Sequence, residues 1–209
     1  MSKRAVELFN KYAKEYEGKF MNVDRYGDTF DVFCKRIKKE NARVLELACG
    51  PGNITRYLLS KRPDFKIKGT DLADNMIELT KINNPSAKFE KMDCRDTGKL
   101  EEKYDGIMCG FCLPYLCKEE TEQLISDAYA RLNDEGVIYI STMEDDYGKS
   151  GLEKGSQGDE IFMHYYEGDY LKEVLEGVGF RDIALERKEY MAGNEKWTKD
   201  IVIIATKFD

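Results

Sequence analysis

The residues best suited to ligand chemistry lie where an apolar run in the first half of the chain meets a helical pattern. The stretch RVLELACGPGNITRYLL, residues 43–59, carries one acid, Glu46, inside its apolar part and then Gly50 and Gly52. Glycines at such a junction permit a tight turn and the close approach of a ligand. The N–H groups that open the following helix, with Asn53 as its candidate N-cap, attract an anionic group. This junction predicts a ligand site, with a glycine turn that binds nothing as the alternative.

Two common phosphate-binding motifs do not fit this junction. A dinucleotide fingerprint, G-x-G-x-x-G, needs a third glycine, and the frame that starts at Gly50 has Thr55 in that place. The Gly-Lys-Ser/Thr sequence of a Walker loop is also missing from the junction. A pyrophosphate ligand is therefore not favoured.

Five strand-like apolar runs place the junction in a sheet. They alternate with helical patterns over 53–60, 74–82 and 118–132. Nearly continuous apolar strands separated by helices predict a parallel sheet covered on both faces, in a doubly wound α/β fold. Ligands of such sheets bind beyond the carboxyl ends of the strands, which is where the glycines follow the first run. The five runs span 43–49, 65–71, 87–93, 104–110 and 136–142.

The two ends of the chain extend this pattern. Helical spacing over 3–20 and 29–39 predicts an N-terminal helical cap, residues 1–40, on an α/β core, residues 41–209, within one domain. Near the C-terminus, two strand-like runs joined by the short loop AGNEK predict a β-hairpin. The hairpin implies one antiparallel strand at or near the sheet edge.

A segment rich in glycine and charge, residues 144–166, follows the fifth run. Its composition predicts a long loop rather than a further helix or strand. Long loops inside compact domains are either functional lids or disordered segments. We favour a lid.

The overall charge and hydropathy exclude several classes of protein. The 209 residues carry a formal net charge of −7, which disfavours non-specific nucleic-acid binding because that needs clustered Lys and Arg. No apolar run approaches the ~18–20 residues that span a bilayer, and the charged N-terminus shows no signal peptide. We therefore expect a cytoplasmic protein that binds neither nucleic acid nor membrane, as a monomer or homodimer.

The cysteines offer a metal site or a redox pair. Six cysteines and one histidine, with only Cys109 and Cys112 at CxxC spacing, do not form a zinc pattern, so no metal is expected. Redox dithiols normally open a helix, whereas CGFC ends an apolar run. Buried thiols at a strand end are favoured.

Five segments in order resemble the motifs of class I S-adenosylmethionine-dependent methyltransferases. VLELACGPG resembles the first motif, with Glu46, Gly50 and Gly52 in place and Ala48 where a glycine is usual. The other four are IKGTDLADNMIELTK, FEKMDCRD, YDGIMCGFCLPYL and LNDEGVIYIST. The resemblance covers residues 40–209. It implies a Rossmann-like methyltransferase fold with a seven-stranded, mostly parallel sheet, and S-adenosylmethionine as the cofactor.

The resemblance assigns roles to residues at the strand ends. It implies that Asp71 accepts hydrogen bonds from two ribose hydroxyls, with an N-cap role as the alternative, and that Asp93 accepts from the adenine amino group. It implies that the carbonyls of Ala48 and Cys109 meet the ammonium of the methionine moiety, and that Glu46 supports them through backbone and water contacts. The implied cofactor-binding residues are Tyr26, Glu46, Ala48, Cys49, Gly50, Gly52, Asn53, Asp71, Leu72, Met76, Asp93, Cys94, Cys109 and Phe111.

Candidate catalytic residues follow from the chemistry of methyl transfer. Donor and acceptor must be aligned at roughly 3–3.5 Å with water excluded, and a base is needed only when the acceptor keeps its proton. His164 is a candidate base or orienting group, with packing as the alternative, and Tyr115 is a second candidate. Tyr26 is expected on the cofactor or substrate side, whereas Tyr12 and Tyr16 are expected to pack between helices.

The segment after the fourth run bears on the methyl acceptor. Cys112-Leu113-Pro114-Tyr115 stands where amide- and adenine-directed members of the family carry Asn/Asp-Pro-Pro and an aromatic residue. The resemblance thus disfavours DNA bases and protein glutamine and implies a small-molecule acceptor, methylated on oxygen, nitrogen or carbon. The alternatives are a non-catalytic S-adenosylmethionine-binding protein and, less favoured, an NAD-type oxidoreductase.

Overall fold

The computed structural model describes residues 2–155, 158–191 and 197–208. Its strands are β1 (Arg43–Leu47), β2 (Lys66–Asp71), β3 (Lys88–Lys91), β4 (Tyr104–Gly110), β5 (Leu132–Met143), β6 (Gly151–Lys154), β7 (Glu160–Met163), β8 (Phe180–Met191) and β9 (Trp197–Lys207). Its helices are α1 (Lys3–Lys11), α2 (Ala13–Phe20), α3 (Gly27–Arg36), α4 (Asn53–Lys61), α5 (Asp74–Asn83), α6 (Lys118–Arg131) and α7 (Gly168–Val178).

Within the described residues, seven strands form one sheet in the order β3-β2-β1-β4-β5-β9-β8. The first five pair in parallel, and β9 pairs antiparallel with both β5 and β8. The predicted doubly wound α/β fold and C-terminal hairpin are therefore confirmed, while the loop AGNEK lies outside the described residues. The strand order reverses between β1 and β4, so a crevice opens beyond their carboxyl ends.

Both faces of the central strands are buried, which explains the nearly continuous apolar character of their sequences. Side chains alternate between the two faces along each strand. Glu46 and Asp200 therefore share the face on which α3 packs, because Val44 and Val202 belong to that cluster. The cluster on this face includes Val44, Met108, Val137, Tyr139, Val202 and Ile204, and the opposite one includes Leu45, Leu47, Ile107, Ile138 and Ile203.

The N-terminal helices cover the carboxyl ends of the strands. The segment predicted as one helix over 3–20 is two, because the backbone leaves helical geometry at Tyr12, with φ −105° and ψ 21°. The first helix is fastened to α5 through Asn10, whose side-chain oxygen and carbonyl accept from Asn75 at 2.8 Å each. The division into cap and core stays a prediction.

The same N-terminal segment is attached to the loop that precedes β7. The carboxylate of Asp159 accepts from the Tyr12 hydroxyl at 2.5 Å and forms ion pairs with Arg4 at 2.8 Å and Lys11 at 3.2 Å. Arg4 and Lys11 are largely exposed. The contact joins residues about 150 positions apart in the chain.

The expectation of a long loop over 144–166 is wrong. Residues 147–149 form a 3-10 turn, and β6 and β7 form an antiparallel hairpin. Polar residues separate the apolar ones in these short strands, so the charge content concealed the strand pattern. The hairpin contacts α1 and the 3-10 turn at Leu113–Tyr115. Just after β7, the backbone N–H of His164 donates a hydrogen bond to the Pro114 carbonyl in that turn, at 2.8 Å.

No helix in the described ranges is long and apolar enough to cross a membrane.

Candidate active site

The turn between β1 and α4 brings backbone N–H groups to the switch point of the sheet. Gly50 and Gly52 have φ angles of 53° and 81°, in the left-handed region that favours glycine. A Cβ on Gly52 would also lie 2.3 Å from Thr80 Oγ1, so that glycine is required by packing against α5. Ala48 adopts φ 51° where the resembling motif has a glycine, which is a strained conformation for alanine.

Asp71 is the last residue of β2, and its carboxylate forms a hydrogen bond with the glycine turn. Its Oδ2 accepts from the Gly50 N–H at 2.9 Å, and its Oδ1 accepts from the Ala73 N–H at 2.9 Å. Burial raises the pKa of this carboxyl, and the backbone hydrogen bonds oppose that shift. The predicted proximity to the glycines is thus present, and so is the N-cap-like bond to Ala73. Each carboxylate oxygen retains a second lone pair for a ligand hydroxyl.

Glu46 is buried in β1 at 1% exposure. The Thr55 hydroxyl donates to its Oε2, and its Oε1 has no hydrogen-bond partner among the described residues. Burial raises the pKa of Glu46 to about 8. The Thr55 side chain orients this acid in addition to a backbone contact from the same residue, of the kind that we expected.

Asp93 and Cys94 lie beyond the carboxyl end of β3. The Asp93 carboxylate accepts from the Arg95 backbone N–H at 3.0 Å and from its guanidinium at 2.6 Å. Burial alone would raise the pKa of Asp93, but these hydrogen bonds hold it below its usual value. An adenine amino group would therefore compete with Arg95 for this carboxylate.

The cysteines of this region are buried thiols. Cys109 and Cys112 are 2% and 0% exposed, as expected for thiols at a strand end. The Sγ atom of Cys112 lies 3.3 Å from the Sγ atom of Cys94, which is 18 residues earlier in the chain. The described part of the chain contains no group of three or more His, Cys, Asp or Glu side chains arranged to hold a metal ion.

The crevice at the glycine turn is narrow. A cavity of about 40 Å³ remains between Gly50, Asp71 and Phe111 on one side and Phe9 and Tyr16 on the other. The nearest atom to a Cβ built on Gly50 is Cε1 of Tyr16, at 3.9 Å. Burial, with a smaller effect of Asp71, raises the pKa of Tyr16 to about 12. Tyr16 therefore covers the turn, and it also makes the helix packing contacts that we expected, with Phe9 and Phe20.

A second cavity of about 630 Å³ lies beside the crevice and shares Tyr16, Phe111 and Tyr115 with it. Polar groups on its wall include the carboxylate of Asp200, whose Oδ2 accepts from the Tyr26 hydroxyl at 2.5 Å. The structure thus places Tyr26 on the side of this cavity. Its aromatic lining consists of Tyr16, Phe20, Tyr26, Phe30, Phe111, Tyr115 and Tyr190.

The structure does not bring His164 into either cavity. Its Nδ1 lies 3.3 Å from the Tyr147 hydroxyl, and its ring stacks on Tyr147 with centroids 5.8 Å apart. Burial lowers the pKa of His164. Its position matches the packing alternative, whereas Tyr115 borders both cavities.

An open groove of about 650 Å³ lies elsewhere, at the β5–β8–β9 strand ends. It is lined by acids, including Asp145, Glu153 and Asp169, and by Trp197. It shares no residue with the glycine turn, so we do not assign it to the site.

Residues 18–185 match the family model of a methyltransferase domain. The chain belongs to the class I S-adenosylmethionine-dependent methyltransferases. The family confirms the resemblance carried by the five motifs.

Relatives of this methyltransferase include two curated enzymes. It is 35% identical to trans-aconitate 2-methyltransferase of Variovorax paradoxus over 101 aligned residues. The alignment covers 48% of this chain and 38% of the relative. It is 27% identical over 145 residues to malonyl-[acyl-carrier protein] O-methyltransferase of Bacillus anthracis, which covers 64% of this chain and 53% of the relative. The methyltransferase thus spans about half the length, or less, of these relatives.

A solved structure supports the fold. The DhpI–SAH complex superimposes with a TM-score of 0.70 at 18% identity, covering 98% of the methyltransferase and 96% of that chain. At this identity the likeness concerns the fold alone.

S-adenosylmethionine is the cofactor of this family, and the polar groups of the crevice fit it. Asp71 and the turn around Gly50 lie together at the switch point, where a ribose and an amino-acid tail would need them. The cavity can hold the cofactor only when side chains that line it, such as Tyr16, move. Its volume of about 40 Å³ is far below the ~300–1,000 Å³ of small-molecule pockets. Tyr16 is one of the aromatic side chains that leave this cavity small, together with Phe9 and Tyr115.

Three residues of the methyltransferase site escaped sequence reasoning. Tyr16 belongs to an amphipathic helix pattern that packing alone explains. Thr55 was visible as a first-turn residue of α4, but not as the partner of Glu46. Asp200 precedes an apolar run and so reads as the charged start of an edge strand.

Proposed function

We propose that this methyltransferase transfers the methyl group of S-adenosylmethionine to a small-molecule acceptor bound in the 630 Å³ cavity. The observation that carries the proposal is the adjacency of this cavity to the glycine turn, through the shared side chains of Tyr16, Phe111 and Tyr115. When bound, the cofactor supplies a methyl group already activated by the sulfonium charge.

The residues of the chain bind and orient the cofactor and the acceptor, and they exclude water from the reacting atoms. Asp71 would hold the ribose, and the carbonyls of Ala48 and Cys109 would meet the ammonium of the amino-acid tail. Tyr16 and Tyr115, with α1 and α2 across the strand ends, would shield the reacting atoms from water. No catalytic triad is required, because alignment does most of the work in methyl transfer.

The size of the cavity supports a small acceptor. A volume of about 630 Å³ falls within the ~300–1,000 Å³ typical of small-molecule sites. The two curated relatives are named for trans-aconitate and for a malonyl group on a carrier protein. The net charge of −7 adds to the case against nucleic acid as the acceptor. A cytoplasmic location and a monomeric or homodimeric state stay predictions.

Thermal melting with candidate cofactors tests the proposal. A ligand at about 100 times its Kd stabilises the folded state by ~2.7 kcal/mol, which raises the Tm by roughly 5–10 °C for a chain of this size. We expect that rise with S-adenosylmethionine and S-adenosylhomocysteine and none with NAD. A shift with NAD alone would reverse the proposal in favour of an oxidoreductase.

Turnover separates an enzyme from a non-catalytic binder. Incubation with methyl-labelled S-adenosylmethionine and a metabolite pool should transfer label to a small molecule. Binding of S-adenosylhomocysteine without transfer to any pool would favour the non-catalytic alternative.

A further inference from the structure

Asp200 is a carboxylate buried inside an apolar strand. It is 0% exposed, and Ile201 to Ile204 follow it in the core. A buried carboxylate is unfavourable unless hydrogen bonds replace its water. The Tyr26 hydroxyl supplies one such bond, to Oδ2 at 2.5 Å, while Oδ1 has no hydrogen-bond partner among the described residues. One of the two carboxylate oxygens, Oδ1, is therefore buried without a hydrogen bond from the described residues.

The charged and titratable neighbours of Asp200 include Tyr190, whose side chain lowers the pKa of the carboxyl by hydrogen bonding but gives Oδ1 no partner within hydrogen-bond distance. Lys188 and Met143 pair with Asp200 across the sheet, but the Lys188 ammonium is bound by Asp28 at 2.7 Å and Glu186 at 2.8 Å. The Arg25 guanidinium stacks on the Tyr190 ring at 3.6 Å from its centroid. Tyr26, Tyr190 and Arg25 lower the pKa of Asp200, although burial raises it overall.

A purely structural role explains only part of this arrangement. Anchoring Tyr26 needs one acceptor oxygen, and an uncharged side chain would provide it at a lower desolvation penalty. Asp200 belongs to the lining of the 630 Å³ cavity, together with aromatic rings that suit a planar apolar molecule. Oδ1 is buried in this structure, so a hydrogen-bond donor on that molecule would satisfy it once the side chains that cover it shift.

We propose that Asp200, oriented by Tyr26, binds the acceptor through the O–H or N–H group that becomes methylated, on a planar apolar molecule. The inference rests on the proposed function. As the acceptor oxygen or nitrogen gains its bond to the methyl carbon, the carbon–sulfur bond breaks with its electron pair going to sulfur, and the acceptor proton passes to Oδ1 of Asp200. The assignment disfavours carbon acceptors, which offer no hydrogen-bond donor at the methylated atom, and ionised carboxylates, which carry no proton.

Binding of three probes with one skeleton tests the assignment. They are 2-naphthol, 2-methoxynaphthalene and 2-naphthoate, titrated by calorimetry into the full chain loaded with S-adenosylhomocysteine. We expect 2-naphthol to bind at least ~10-fold more tightly than 2-methoxynaphthalene, because a hydrogen bond to a charged acceptor is lost in the ether. We expect 2-naphthoate to bind more weakly than 2-naphthol.

Matched variants connect that preference to Asp200. Asp200→Asn keeps the shape and should reduce the preference to about 2-fold or less, with an unchanged Kd for S-adenosylhomocysteine as the sign of an intact fold. Asp105→Asn changes another largely buried strand acid, whose partners are Lys39, Arg43 and Asn133, and should keep the preference.

Several outcomes would overturn the inference. Equal binding of 2-naphthol and 2-methoxynaphthalene, tighter binding of 2-naphthoate, or no binding of any probe would each remove Asp200 from acceptor recognition. The same result follows if Asp200→Asn retains the preference. The proposed function survives these outcomes as long as S-adenosylhomocysteine binds, and it fails separately if that ligand does not bind.

Discussion

The crevice at Gly50 and the cavity at Asp200 adjoin each other but are built from different kinds of sequence. The floor of the crevice comes from residues at successive strand ends, Ala48, Gly50, Asp71, Gly110 and Phe111. The cavity joins the two ends of the chain, and the bond from Tyr26 to Asp200 spans 174 residues. The first region can be recognised in local motifs, whereas the second exists only after the chain has folded.

Each region contains a buried acid of the same design. Glu46 and Asp200 lie on one face of the sheet, each with one carboxylate oxygen bonded to a hydroxyl and the other without a partner among the described residues. Their settings differ, because Glu46 lies behind the glycine turn, where we propose that the cofactor binds, and Asp200 lines the cavity that we propose for the acceptor. Perturbing one region should leave the other unchanged.

The largest expected effect concerns Glu46 and pH. Its pKa rises from 4.5 to about 8 on folding because of burial, so the folded state favours the protonated form. The stability from this group is present below pH 4.5 and is lost as pH rises towards 8, by on the order of 5 kcal/mol at 1.4 kcal/mol per pKa unit. Glu46→Gln should remove that dependence, as measured by urea unfolding between pH 4.5 and 8.

The control for this experiment is Glu78→Gln, which changes an exposed acid on α5. It should keep the pH dependence of the unmodified chain. A Glu46→Gln chain whose stability falls with pH as steeply as the unmodified chain would refute the raised pKa.

The next effect concerns cofactor affinity. Asp71→Ala removes the acceptor for the Gly50 N–H and for the Ala73 N–H, and with it the carboxylate that we propose to hold the ribose. Losing the two proposed hydrogen bonds from the ribose hydroxyls to this carboxylate should weaken S-adenosylhomocysteine binding by ~100-fold or more, as measured by calorimetry. Binding of 2-methoxynaphthalene in the neighbouring cavity should change little. Equal loss of both ligands would show that the two regions are not independent.

A smaller effect is expected where Tyr16 covers the turn. Tyr16→Ala frees the volume beside Gly50, so S-adenosylhomocysteine should associate ~10-fold faster in stopped-flow measurements, while the free protein loses about 2 kcal/mol of stability. Tyr16→Phe keeps the ring and should associate at the rate of the unmodified chain. An unchanged rate in Tyr16→Ala would mean that this ring does not limit entry.

The smallest effect is expected at His164. Because its ring packs on Tyr147 and does not line either cavity, His164→Ala should keep methyl transfer within about 2-fold of the unmodified chain, measured with labelled cofactor. A fall of more than 10-fold with unchanged cofactor affinity would restore the role of base.

The sequence predicted the crevice at Gly50 better than the cavity at Asp200. The sheet, the glycine turn and the proximity of Asp71 to Gly50 were predictable because each rests on short-range patterns. The hairpin at 151–163 was missed because its short strands carry charges that resemble a loop. Tyr16 and Asp200 could not be placed, because their surroundings come from elements distant in the chain.

The attachment of Asp159 to Arg4, Lys11 and Tyr12 has a consequence for how the methyltransferase responds to its medium. Two of these three contacts are exposed ion pairs, which dissolved electrolyte screens, since the Debye length shrinks from about 10 Å at 0.1 M to about 3 Å at 1 M. The hydrogen bonds of Asp71 are buried and far less affected. Raising ionic strength should therefore loosen α1 and α2 and speed the exchange of cofactor, while the hydrogen bonds from Asp71 to the glycine turn persist.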